Sequence, residues 1–290
     1  MFKKRKYLLV LVILLIFSTS IMITIAQEVP VHEKLSPGFV KLNNDFAVAI
    51  VNLEKKDEYK YITATVAIKR ISPSQFIYPP CREDTIVTLD LIDDQGEIFS
   101  TNHDFRYLMD VLYPLPKGFV FTEEFSTAAP SLAWNHIKTI NLLGHKVNLV
   151  ELDLGSLENI DFIVHATERV QLNKWLDFKI DGIIDTKLKD FKRFYLKGTF
   201  MNSSYDDKIV TIRLTCQNKN GQLYYADSGY CSISGKSSKV FAFSLGKYVK
   251  IEDVRACLIS ATPGTGISIK ASLFILPIND KIPFFYPPTY

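Results

Sequence analysis

From Asp45 onward, apolar residues fall on alternate positions, the two-residue period of strands with one buried face. Ile62, Ala64, Val66 and Ile68 alternate with Thr63, Thr65, Ala67 and Lys69. Val87, Leu89 and Leu91 share a face, as do Val210, Ile212 and Leu214, while Thr88 and Asp90, or Thr211 and Arg213, take the other. Asp93-Asp94-Gln95-Gly96 and Asn218-Lys219-Asn220-Gly221 follow these runs, each ending on the glycine that a tight hairpin uses for a positive φ. Long helical periods are almost absent from this stretch, which predicts an all-β chain.

The start of the chain breaks the pattern. Tyr7 to Ala26 is a run of 20 largely apolar residues behind Lys3, Lys4, Arg5 and Lys6, with no acidic side chain before Gln27. As a helix it would span about 30 Å, a bilayer core, with its basic end held in the cytoplasm. Two forms fit: an uncleaved single-pass anchor, or a signal peptide cleaved before Gln27. Either predicts that the rest of the chain is extracytoplasmic. A linker over 27–44 would follow.

Beyond it, the chain repeats itself in a series of matches that keep the same order. Asp45-Phe46 returns as Asp177-Phe178, and Glu58-Tyr59-Lys60 as Asp190-Phe191-Lys192, both at an offset of 132. Ile86 to Phe99 matches Ile209 to Tyr224, Phe119-Val120-Phe121 matches Phe241-Ala242-Phe243, and Glu158 to Thr167 pairs with Glu252 to Thr262. About seven strands in each repeat of roughly 120 residues predict two tandem β-sandwiches, 45–170 and 171–290, produced by internal duplication.

The hairpin followed by an aromatic strand (VTLDLIDDQGEIF then FVF; VTIRLTCQNKNGQLY then VFAF) resembles the small immunoglobulin-like sandwiches of the FxLYD type found in exported bacterial proteins. That resemblance implies two immunoglobulin-like domains and an exported setting, and no activity. Cys216 continues the inward face of Val210, Ile212 and Leu214, which suits a buried thiol or a bridge between sheets. An immunoglobulin-like fold would make Cys257 its disulfide partner, with Cys231 as the rival.

If two copies share a scaffold, their differences indicate what one has added. The matches leave the first copy nine extra residues around ISPSQFIYPPC and 28 more between Phe121 and Glu158. Loops on a rigid scaffold commonly carry recognition, so Phe76, Tyr78 and Trp134 are expected to supply apolar contact and Asn135 and His136 hydrogen bonds. The competing reading makes Trp134 a plug for the open end of the first sandwich and HKVNLVELDL an extra strand pair. The tail KIPFFYPPTY would either present a proline-rich ligand or pack its aromatics on the second sandwich.

Charge and motif searches narrow the function classes. The net charge of +3 resides in the N-terminal cations, and without those four the chain carries 30 basic against 31 acidic residues, so no nucleic-acid partner is expected. Glu123 and Glu124 are neighbours on a strand and point to opposite faces, unlike the paired carboxylates of a glycosidase. No nucleophile elbow, zinc-protease helix, phosphate loop or closely spaced cysteine pair occurs, and no two of the five histidines lie four apart. No metal or cofactor is expected, and a catalytic site assembled from distant segments stays open. The expected role is a non-catalytic binding or surface-structural module that meets a protein or glycan outside the cytoplasm, with membrane contact through the N-terminal helix. The alternatives are a protein acting on envelope polysaccharide and a subunit of an envelope assembly.

Overall fold

The computed structural model describes residues 38–73, 82–112, 115–160, 163–188, 191–246, 249–263, 272–279 and 282–285. The predicted membrane segment, most of the linker and the proline-rich tail beyond Phe285 lie outside the described residues. Among the described residues no helix is long and apolar enough to cross a membrane.

Among the described residues the chain is all-β, with four sheets whose strand pairings are antiparallel apart from one short parallel pairing. In the first half, β1 (Val40–Lys41), β2 (Phe46–Lys56), β3 (Tyr61–Arg70) and β6 (Val120–Pro130) form one sheet in the order β1-β2-β3-β6. Opposite it lie β4 (Ile86–Asp93), β5 (Ile98–Asp104), β7 (Ile137–Leu142) and β8 (His145–Val147), in the order β5-β4-β7-β8. A short helix, α1 (Arg106–Leu112), joins β5 to the segment before β6. The alternation read from the sequence places Ile62, Ala64, Val66 and Ile68 against Val87, Leu89 and Leu91, all within 1% of complete burial.

The second half repeats this arrangement. β9 (Arg169–Asn173) pairs with β10 (Leu176–Leu188), which belongs to a sheet with β11 (Phe191–Asn202), β14 (Ser238–Ser244) and β17 (Phe284–Phe285) in the order β14-β11-β10-β17. Facing it are β12 (Lys208–Asn218), β13 (Leu223–Ile233), β15 (Val254–Pro263) and β16 (Ser272–Pro277), ordered β13-β12-β15-β16. Strand for strand, β2-β3-β6 corresponds to β10-β11-β14, and β5-β4-β7-β8 to β13-β12-β15-β16.

Both matched hairpins turn by the same device. Asp93 Oδ1 accepts from the amides of Gln95 and Glu97, and Asn218 Oδ1 from those of Asn220 and Gln222. Gly96 and Gly221 take φ of +84° and +86°.

One sequence match is corrected by this topology. Glu158 to Thr167 is not the counterpart of β15; that position beside β4 belongs to β7. The chain from Phe121 to Val147 is β6, a 3-10 turn over Ser131–His136, β7 and β8, so no loop of 28 residues decorates the first half there. What the first half adds is the stretch after β8, which crosses to the second half: Ile163 bridges Ile275, and the Val164 amide donates to the Ile275 carbonyl at 3.1 Å.

The halves share buried surface. Ala256, Leu258 and Ile275, on the second half, belong to the core of the first, so β15 is covered on both faces. The 218–221 turn docks on β6, where the Thr122 amide donates to the Gly221 carbonyl at 2.9 Å and Thr122 Oγ1 to the Asn220 carbonyl at 3.1 Å. Arg255 completes the clamp, its Nη2 donating to the carbonyls of Leu154 and Gly155 at 3.0 and 2.7 Å.

Candidate functional site

Phe76 and Tyr78 lie outside the described residues. Trp134, Asn135 and His136 fall in the Ser131–His136 turn that leads into β7. Trp134 is partly buried and packs against the first core, while Asn135 and His136 are exposed. His136 Nδ1 lies 3.1 Å from Asp94 Oδ2, tying this turn to the β4–β5 hairpin. The three residues are neighbours, but the indole faces the protein, which leaves less ring surface for a ligand than the sequence suggested.

Two of the concave regions among the described residues lie elsewhere and are large enough to hold a ligand. One is a cleft of about 530 Å³ at the junction of the halves, lined among others by Glu158, Lys219, Glu252, Arg255 and Asn279. Its charges are mixed, and burial lowers the pKa of the Arg255 guanidinium while its donors are taken up by the Leu154 and Gly155 carbonyls. Arg255 therefore holds the connection between the halves.

The other region is a groove of about 500 Å³ on the outward face of β12 and β13, lined by Thr211, Arg213, Ser228, Gly229 and Tyr230. The strand register sets this composition. Tyr230 lies opposite Thr211 and Ser228 opposite Arg213, and directly opposed residues project from the same face. Val210, Ile212 and Leu214 enter the core, so the intervening Thr211 and Arg213 point outward. Tyr230 is 80% exposed and Tyr225 is 61% exposed, and the Tyr225 hydroxyl donates to Ser228 Oγ at 2.5 Å. At Gly229 an added Cβ would stand 3.3 Å from the Phe243 ring, so the strand lies close over the core.

This groove was not picked out from the sequence. Its signal was the placement of Tyr225, Ser228 and Tyr230 in a strand whose other face is buried, and the alternation was read for core residues only.

The cysteine reading is corrected in geometry. Cys216 and Cys257 are directly opposed on β12 and β15 of one sheet, not on facing sheets, and both are free thiols with Sγ atoms 3.9 Å apart. Cys231 lies opposite Val210, further along β12. Among the described residues no three His, Cys, Asp or Glu side chains group as metal ligands.

No protein-family model and no curated protein matches the chain. Among solved structures, a DUF1425 family member from Shewanella sp. pv-4 is 15% identical, with 36% of this chain and 95% of that one covered, at a TM-score of 0.25. The alkylpurine DNA glycosylase AlkC of Pseudomonas fluorescens, bound to DNA with an abasic site analogue, is 10% identical over 34% of this chain and 30% of its own, at 0.20. A protein designated pT26-6p is 9% identical over 84% of this chain and 64% of its own, at 0.19.

Proposed function

We propose that this chain is an exported, non-catalytic binding protein whose two immunoglobulin-like sandwiches, related by duplication, present the outward face of β12 and β13 to a glycan chain. The observation that carries the reading is the exposure of Tyr230 beside Arg213, Ser228 and Thr211, with the exposed Tyr225 hydrogen-bonded to Ser228. An exposed phenol ring offers a rigid apolar plate at small entropic cost, which suits the C–H face of a sugar ring. The guanidinium and hydroxyls beside it supply the directional hydrogen bonds that sugar hydroxyls need.

The recurrence of strand order supports duplication. Export is supported by the basic, then apolar, run over the first 26 residues, whether that run is cleaved or retained as an anchor. The shared core and the Arg255 clamp tie the second half, which carries the groove, to the first.

The test is titration calorimetry of the full-length protein in detergent against a panel of envelope polysaccharides, followed by Tyr230→Ala. Binding without chain cleavage, weakened at least about tenfold by the substitution at unchanged Tm, is expected. Binding to none of the panel, or release of reducing ends, would overturn the proposal.

A further inference from the structure

Cys216 and Cys257 occupy the same register position on neighbouring antiparallel strands, each wholly buried, with a sulfur-to-sulfur distance of 3.9 Å. We propose that these two thiols close into a disulfide within a single sheet as the chain folds in an oxidising compartment, stapling β12 to β15 beside the contact that joins the two halves. Directly opposed antiparallel residues have Cα atoms roughly 4.5 to 5.5 Å apart, within the range that a disulfide spans. The sulfurs need to close to about 2.0 Å, a movement that side-chain rotation supplies without moving either strand. Cys231 is no competitor, since it faces Val210, six positions from Cys216, and strands rise about 3.3 Å per residue.

The folded dithiol is a poor reactant. Its hydrogen bond to Cys216, then burial, holds the Cys257 thiol well above the usual thiol range, and neither sulfur is open to a reagent. Thiolate is the attacking species, so the bridge must form before the sheets close. With glutathione disulfide as oxidant, one cysteine thiolate attacks a glutathione sulfur and releases one glutathione thiol. The second thiolate then attacks the protein sulfur of that mixed disulfide and releases the other. Two protein thiols are oxidised, one glutathione disulfide is reduced to two thiols, and no further reactant is needed.

The location gives the bridge its consequence. Gln217, next to Cys216, donates to the Val120 carbonyl of the first half, and Arg255, two residues before Cys257, donates to Leu154 and Gly155. A covalent tie between the two strands would hold both donors in register while the loop between them is confined in the unfolded chain.

The experiment starts from full-length protein unfolded and reduced in detergent, then refolded in a glutathione redox buffer. Quenching with acid, unfolding in N-ethylmaleimide and peptide mapping should return Cys216 and Cys257 unalkylated, in one cross-linked pair two hydrogens lighter than the dithiol. The oxidised protein should melt on the order of 10 °C above the same protein refolded with reductant. That comparison requires no substitution; in the Cys216→Ala/Cys257→Ala variant the redox dependence of Tm should vanish. Alkylation of both residues, a bridge from either to Cys81 or Cys231, or equal melting of the oxidised and reduced forms would each overturn the proposal.

Discussion

Gln217 of the second half donates its side-chain amide to the Val120 carbonyl of the first at 2.8 Å, and again to the Gly221 carbonyl at 3.2 Å, from a site with no solvent exposure. One amide therefore satisfies the Val120 carbonyl of β6 and adds a second donor to the Gly221 carbonyl, which the Thr122 amide already meets. Burying such groups without partners costs about 1–3 kcal/mol each. Gln217→Ala should lower stability by roughly 2–3 kcal/mol in guanidinium denaturation. Gln222→Ala, which removes an exposed 3.4 Å contact to Glu124 and a 3.0 Å bond that Gln222 Oε1 accepts from Asn218 Nδ2, both outside the fully buried site, should cost less, about 1 kcal/mol. Equal losses in the two variants would refute the role given to Gln217.

Gly198 makes a second dependence testable. In the middle of β11 its missing side chain leaves room for the Phe241 ring, and a Cβ there would stand 2.2 Å from Phe241 Cζ and 2.7 Å from the Lys179 carbonyl. The ring can retreat, but the backbone oxygen is held in the β10–β11 ladder. Gly198→Ala should cost at least about 2 kcal/mol. Adding Phe241→Ala should recover only part of the clash, so the double variant should be less destabilised than the sum of the singles yet still below Phe241→Ala alone. Strict additivity in chemical denaturation would show that the ring is not what Gly198 accommodates.

The strands were legible from the sequence, because the period of two reports a half-buried sheet directly. The β4–β5 and β12–β13 hairpins were equally so, because Asp93 with Gly96 and Asn218 with Gly221 are local turn chemistry. What could not be read was the use of second faces. Ala256 and Leu258 alternate with Cys257 and Ile259, and both sets are buried, the first pair against the other half of the chain. Nothing local distinguishes such a doubly covered strand from a core strand of one sandwich. The same ambiguity hid the tyrosine groove, since an outward Tyr230 has the same spacing whether it meets solvent, a neighbouring domain or a ligand.

Trp134 separates packing from recognition. Its indole is partly buried against the first core beside Ala133. Trp134→Ala should lose roughly 2–3 kcal/mol of stability, less than the full value of a wholly buried tryptophan. It should leave unchanged any glycan affinity that Tyr230→Ala weakens. A loss of affinity with undiminished stability would instead return the binding role to the Ser131–His136 turn.

The Tyr107 hydroxyl donates to Glu123 Oε1, linking α1 to β6. Partial burial, then this hydrogen bond and the nearby negative charge, hold its phenol well above the ordinary range near 10. An acid group that ionises less readily in the folded state keeps its proton at a pH where the unfolded chain has lost it. Above the unfolded pKa the unfolded state then binds fewer protons, so stability falls as pH rises. The contribution is fully present below about pH 10 and declines above it, until the folded phenol itself ionises. Tyr107→Phe removes both the hydrogen bond and this dependence. The wild type should therefore melt above Tyr107→Phe at pH 8, with the gap narrowing towards pH 11. The difference between the two proteins isolates Tyr107 from Tyr224, whose phenol is also raised, chiefly by burial and then by its proximity to Cys216. A melting difference that stays constant across that range would show that the Tyr107–Glu123 contact does not couple to protonation.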